Sequence, residues 1–261
     1  MPYQFSVQQF ATETTLTLLK ALNNLLKDIN EDLGVTLVGG ALRDQHYAWK
    51  FSAHHANIKD FDFIITGPFN SYFDEIYKAL VDNTSFNKYI DSYHSPRISA
   101  RGLSGIFKFN YLGMECDILC YEGERSITQC IKEFDADVNQ VALSWNYGNP
   151  DVFFTQAFAS AFKSQTYRLV NREEVHDTLL CPEPKLQARE MKRLLNLQYK
   201  LPRFEMMDFP EFMERLDVVQ QAEDNGVLDV KYACAPQQNI TDDVPCTGIG
   251  RAAAIEREDH R

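Results

Sequence analysis

No apolar run in this chain approaches the ~20 residues that a membrane-spanning helix needs, so a membrane partner is not expected. Residues 1–10 have neither a basic start nor an apolar core, which argues against a secretory signal. The sequons at Asn83 and Asn239 then carry no weight. The six cysteines (Cys116, Cys120, Cys130, Cys181, Cys234 and Cys246) contain no C-x-x-C pair and no His/Cys zinc spacing. Reduced thiols and a cytoplasmic location are the expectation. Basic charge is also scarce. With 26 Lys and Arg against 37 Asp and Glu, the net charge is −11 and the isoelectric point is near 5.0. This speaks against broad electrostatic binding to nucleic acid and leaves only a local basic track for it. Internal repeats and Gly/Ser linkers are absent as well.

What is present is a globular composition, 44% hydrophobic and 24% charged over 261 residues. The densest chemistry lies in Leu37-Val38-Gly39-Gly40-Ala41-Leu42-Arg43-Asp44, followed by Lys59-Asp60-Phe61-Asp62-Phe63-Ile64-Ile65. The first segment is an apolar strand running into two glycines and a helix start. Such a turn lets backbone N–H groups approach a phosphate, and the helix aims its positive end at the same place. The second is a strand with carboxylates at i and i+2, which point to one side. Asp60 and Asp62 are thereby candidates to hold Mg²⁺ together, with the ion bridging to a nucleotide's phosphates. Arg43 has the geometry to contact a phosphate oxygen, and equally to pair with Asp44 or Asp60.

These two segments, in this order, resemble the head of the class II nucleotidyltransferases, the CCA-adding enzymes and bacterial poly(A) polymerases of the polymerase-beta-like superfamily. The family pattern is Gly-Gly-x-x-Arg-Asp followed by Asp-x-Asp on the next strand. A third block, Phe134-Asp135-Ala136-Asp137-Val138-Asn139-Gln140-Val141-Ala142-Leu143, resembles the family's Arg-Arg-Asp-Phe-Thr-Ile-Asn-Ala-Leu-Ala. Asp135 and Asn139 fall on the family's Asp and Asn, and Glu133 and Phe134 stand where it has two arginines. A fourth region, residues 185–200, sits at the family's neck helix. There Arg189 and Lys192 keep the basic i, i+3 spacing, while the Glu-Asp pair that precedes it in the family is missing.

The resemblance implies that Asp60 and Asp62, with Asp117 as a third carboxylate from a later strand, bind catalytic Mg²⁺. The expected reaction is in-line attack of a hydroxyl on the α-phosphate of an NTP, ATP or CTP, with two metals and release of pyrophosphate. By the same resemblance Gly39, Gly40, Arg43 and Asp44 meet the triphosphate, and Asp135 and Asn139 lie along the sugar and phosphates. Arg189 and Lys192, without the family's Glu-Asp pair, carry over no base selectivity and are candidates for a phosphate or RNA track. The implied acceptor is an RNA 3′ end, tRNA being the first expectation, reached along a basic track that includes Arg193. About sixty residues follow residue 200, too few for the domains that hold tRNA in longer members.

The expected fold is α/β (α+β), a small mixed sheet with helices on one side, divided into a head with an N-terminal helix (1–180), a helical neck (181–230) and an irregular tail (231–261). Periodicity predicts a helix over 6–32, ended by Gly34, then a strand over 35–38 and a short helix from Ala41. An aperiodic connection with His54 and His55, read as loop residues and not ligands, spans 45–58. A strand over 61–66 and a helix over 71–80, capped by Ser71 and Asp74, follow. Alternation predicts two strands within 105–121 joined at Leu112-Gly113, with Glu115 and Asp117 on one face. Residues 127–145 read as mostly helix, 147–150 as a turn and 151–170 as another helix. In the neck, Lys185, Arg189, Lys192, Asn196 and Lys200 form a polar stripe opposite Met191, Leu194, Leu195 and Leu201.

Two further readings stand beside RNA. One keeps the chemistry and moves the nucleotide to a protein or small molecule. The other is a non-catalytic nucleotide-binding or interaction protein, favoured by the missing arginines and Glu-Asp pair and opposed by the intact Asp60 and Asp62.

Overall fold

The computed structural model describes residues 6–52, 56, 58–91, 103–121, 123, 125–169 and 196–207. Its centre is a seven-stranded sheet: β1 (Gly34–Val38), β2 (Asp60–Thr66), β3 (Ser85–Asp91), β4 (Leu103–Tyr111), β5 (Met114–Tyr121), β6 (Val141–Asn146) and β7 (Asn149–Phe154). The spatial order is β3-β4-β5-β2-β1-β6-β7. The β2–β5 pair is parallel and the others are antiparallel. The sheet is therefore mixed, as expected.

Five helices accompany it: α1 (Glu13–Lys27), α2 (Gly40–Phe51), α3 (Phe73–Asn83), α4 (Ile127–Lys132) and α5 (Gln156–Ser164). Leu18, Leu22, Leu42, Ile76, Leu80 and Phe158, from α1, α2, α3 and α5, are buried with Leu37, Phe63, Phe107 and Ile118 in one large core. Cys130 and Ile131 of α4 join Ile64, Ile106 and Leu119 in a second, smaller core on the opposite face. Helices thus cover both faces rather than one.

Local physics explains several departures from the sequence reading. Helix α1 spans Glu13–Lys27, with Thr12 capping it by accepting the Thr15 N–H at 3.2 Å; Gly34 opens β1 instead of ending the helix. Helix α2 runs on to Phe51 through the segment read as aperiodic. His46 there is buried, stacked on Phe10 at 4.4 Å and edge-on to Phe162 at 4.6 Å, so a residue counted as polar belongs to the apolar side. Ser71 lies in a 3₁₀ turn, and α3 begins at Phe73 without a side-chain cap.

Residues 141–146 and 149–154 are strands, not helices. Val141, Ala142, Leu143 and Ser144 are all buried, and a strand covered on both faces loses its alternation. Strand β3 was not expected at all; a bulge between Phe86 and Lys88 breaks its period. The hairpin at Leu112-Gly113 is as expected, with φ of 52° and 80°, the signs of a type I′ turn.

Within the expected neck, residues 196–200 are helical. The chain then forms β9 (Glu205–Met206), parallel to β8 (Thr166–Tyr167). Phe204 packs on Tyr47 and Phe51, and the Arg203 guanidinium lies 5.0 Å from the centre of the Phe51 ring. This segment is therefore bound to α2. The expected tail, Arg189, Lys192, Arg193, His54 and His55 lie outside the described residues.

Candidate active site

Strand β1 delivers Gly39 and Gly40 to the end of the sheet. Gly39 has φ +71°, and a Cβ there would meet the Phe134 ring at 3.1 Å, so conformation and space both require glycine. Its N–H already donates to the Val141 carbonyl at 3.0 Å, and its carbonyl accepts the Arg43 N–H at 3.1 Å. Gly39 therefore sets the turn. The amides without intrahelical partners are those of Gly40, Ala41 and Leu42, the first turn of the twelve-residue α2.

Strand β2 pairs with β1 so that Asp62 lies opposite Val38, beside that turn. Asp60 is half-buried and Asp62 is buried. Gly40, Arg43, Asp44, Asp60, Asp62 and Asp135 line one cavity of about 60 Å³ together with Asn139. That is room for an ion with part of its water shell, given ~30 Å³ per water. Seven of the nine proposed head residues, all but the third carboxylate and Gly39, need no rearrangement to meet: they already share this wall.

The polar contacts form a chain along the wall. Arg43 donates from Nε to Asp44 Oδ1 at 2.7 Å and from Nη1 to Asn139 Oδ1; Asn139 donates to Asp135 Oδ1 at 2.6 Å. The second Asp44 oxygen accepts from Lys200 Nζ at 2.7 Å. Of the alternatives open for Arg43, the ion pair with Asp44 is the one formed. Its guanidinium is buried and holds the turn, α2 and the Asp135 block in one register.

Two arginine positions of the resembled block are filled differently. Phe134 is fully buried against Gly39, and Glu133 pairs with Arg125 at 2.8 Å. The block is a short helical turn, Asp137–Asn139, leading into β6 rather than a helix.

Asp117 is in register with Asp62 on β5. It does not line the cavity; it is ion-paired with Lys108 of β4, directly opposite it in the β4–β5 hairpin. Burial pushes the Asp117 carboxyl above its usual range, against the pull of the Lys108 ammonium. Burial acts to lower the Lys108 ammonium, but Asp117, then Asp62 and Asp60, outweigh it and leave it raised. Cys116 beside it is pushed up to about 12 by burial and then by the Asp117 charge, so it is an inert thiol. Among the described residues no group of three or more His, Cys, Asp or Glu side chains is set to hold a metal ion.

The structure also brings in residues that were not singled out as site residues. Ile58, Lys59, Asn196 and Lys200 line the cavity. Asn196 and Lys200 belong to the polar stripe of the neck, whose described end faces the acidic site instead of open water. Lys108 was missed, although the two-residue turn fixes the hairpin register. Counting three pairs outward from Tyr111 and Met114 reaches Lys108 and Asp117.

No protein-family model matches the chain and no curated protein does. Among solved structures, it is similar to an apo form of a tRNA-processing enzyme at 15% identity and TM-score 0.48, covering 83% of this chain and 49% of that one. It is similar to the Thermotoga maritima CCA-adding enzyme complexed with tRNA at 13% identity and TM-score 0.47, covering 82% and 44%. A tRNA nucleotidyltransferase complexed with a primer tRNA and an incoming ATP analogue is similar at 13% and 0.43, covering 79% and 51%. The chain spans about half the length of these structures. Among the described residues, no helix is long and apolar enough to cross a membrane.

Proposed function

We propose that this chain is a Mg²⁺-dependent nucleotidyltransferase that moves a nucleotide from ATP or CTP to the 3′ hydroxyl of an RNA, with tRNA as the first candidate, in the reducing cytoplasm. One observation carries the reading. Residues separated by about a hundred positions in sequence, Gly40 and Arg43, Asp60 and Asp62, Asp135 and Asn139, line the same small cavity at one end of the sheet.

The donor set suits the ion. Mg²⁺ is commonly held by one or two carboxylates and completed by water and substrate phosphates. Asp60 and Asp62 offer two carboxylates on one face of β2, and the cavity has room for an ion and water. When bound, Mg²⁺ supplies charge to the phosphate oxygens and favours ionisation of the attacking hydroxyl.

The remaining work falls to the chain. The free amides of Gly40, Ala41 and Leu42 and the positive end of α2 orient the triphosphate. Asp135 and Asn139, fixed through Arg43, hold the sugar side. Asn196 and Lys200 close the wall from the neck, and Arg189, Lys192 and Arg193, just before them in sequence, are the proposed contacts for the RNA strand. The acceptor hydroxyl gives up its proton to water as its oxygen forms the bond to the α-phosphorus; the bond to the bridging oxygen breaks, and pyrophosphate leaves with that electron pair.

The test is pyrophosphate release with each of the four NTPs and Mg²⁺, with and without total tRNA, in the parent and in Asp60→Ala/Asp62→Ala. Release that requires tRNA and disappears in the double variant is expected. Release without RNA would transfer the proposal to a protein or small-molecule acceptor. NTP binding with no release under any condition would leave a nucleotide-binding protein without transferase activity.

A further inference from the structure

The third acid of this site is already occupied. Lys108, Asp117 and Asp62 stand side by side on the adjacent strands β4, β5 and β2, at paired register positions that place them on one face. Neighbouring strands lie about 5 Å apart, so the ammonium and the two carboxylates form one short row. The Lys108 ammonium is bonded to Asp117 Oδ2, with both side chains largely shielded from water. The β-hairpin fixes this pairing through its two-residue turn, so the contact is built into the backbone register.

We propose that Lys108 is a resident cation that reserves Asp117, so that the centre takes a single divalent ion through Asp60 and Asp62. The inference rests on the metal reading of those two residues and departs from the two-ion arrangement that the family resemblance implies. A divalent ion seated against Asp117 would have to displace an ammonium already hydrogen-bonded there, or share its space at the cost of like-charge repulsion. Asp62 lies next in the row and keeps one face toward the cavity. Lys108 is thus a positioning residue. It sets the number of ions and keeps a fixed positive charge beside the site in place of an exchangeable one.

The test is a Mn²⁺ titration of the full chain followed by electron paramagnetic resonance of the free ion, which counts bound Mn²⁺ directly and requires no turnover. The expected results are one Mn²⁺ per chain in the parent, loss of it in Asp62→Asn, and one Mn²⁺ still bound in Asp117→Asn, weakened by about tenfold at most because one unit of negative charge a few ångström away is lost. Lys108→Met should gain a second ion or bind at least about tenfold more tightly, the effect of removing one unit of like charge a few ångström away. Lys108→Met/Asp117→Asn should lose that gain. The double variant removes both charges of the Lys108–Asp117 pair together, so it reports even if Lys108→Met folds poorly.

Weakening in Asp117→Asn as large as in Asp62→Asn would overturn the proposal while leaving the metal reading intact. So would two ions in the parent. No Mn²⁺ bound by the parent, or binding indifferent to Asp62→Asn, would overturn both.

Discussion

The two faces of the central sheet are made by the same strands and do different things. Along β2, Phe61, Phe63 and Ile65 enter the large core, while Asp60 and Asp62 emerge on the other face, followed by Ile64 in the smaller core. Along β5, Cys116 and Ile118 face the large core; Glu115 and Asp117 alternate with them, and Leu119 lies in the small one. The large face is apolar from end to end and carries four helices. The small face is apolar only beneath α4, and its other half carries the acids and Lys108. The difference teaches how a sheet tolerates a row of charges: a period of two lets one face supply the burial that holds the strands while the other is left to chemistry.

The sharpest way to break this comparison uses two adjacent residues. Phe63 is fully buried in the large core, and Phe63→Ala should cost ~3–5 kcal/mol of stability. Asp62, one position earlier on the opposite face, should change stability by no more than about 1 kcal/mol on replacement by Asn. Its loss should instead lower pyrophosphate release by ~10³-fold, equivalent to ~4 kcal/mol of transition-state stabilisation. Urea unfolding and a pyrophosphate assay on the same two variants separate the roles. Equal destabilisation by both would mean that the acidic row is structural.

The same asymmetry explains what was legible. Where one face is apolar and the other polar, as in β2, β4 and β5, alternation and a Gly turn were enough to find strands and register. Where both faces are covered, as in β6, the alternation vanishes and the segment reads as a helix. A buried histidine hid the second half of α2, and a bulge hid β3. At the site, Asp60, Asp62, Gly40, Arg43, Asp135 and Asn139 were readable because chemistry at fixed spacing marks them. Asn196 and Lys200 were visible as a stripe, but their direction depends on Phe204 and Leu201 packing the neck against the head, a long-range fact. The Lys108–Asp117 pair follows from the register of the β4–β5 hairpin, three pairs outward from its turn.

Acid sharpens the comparison from the large-core side. His46 is packed between Phe10 and Phe162, and burial, helped by the nearby Lys50 charge, lowers it from the ordinary 6.5 to about 4. The folded protein keeps it neutral, whereas the unfolded chain takes up a proton below 6.5. Its contribution is therefore full above pH 6.5 and is lost as the pH falls toward about 4, a loss of about 3 kcal/mol. Urea unfolding between pH 7 and 4 should show this decline, and His46→Phe should flatten that part of it. An unchanged slope in His46→Phe would place the acid sensitivity elsewhere, the carboxylate row being the next candidate.

The smallest expected effect compares the helix caps on the two faces. Thr155 begins α5 over the large core. Its buried hydroxyl accepts the Phe158 N–H at 3.1 Å and donates to Gln140 Oε1 at 2.7 Å, so removing it leaves a cap and a buried amide oxygen unsatisfied. Ser126 begins α4 over the small core with a full capping box to Gln129, but it is exposed, and water can replace what the hydroxyl gives up. Thr155→Ala should cost about 2 kcal/mol and Ser126→Ala about 0.5–1 kcal/mol, near the two ends of the range for such caps. The ratio matters more than either value. Ser126→Ala as costly as Thr155→Ala would mean that α4 holds its face as firmly as the four helices hold theirs. The acidic half would then be supported from both sides of the sheet rather than from one.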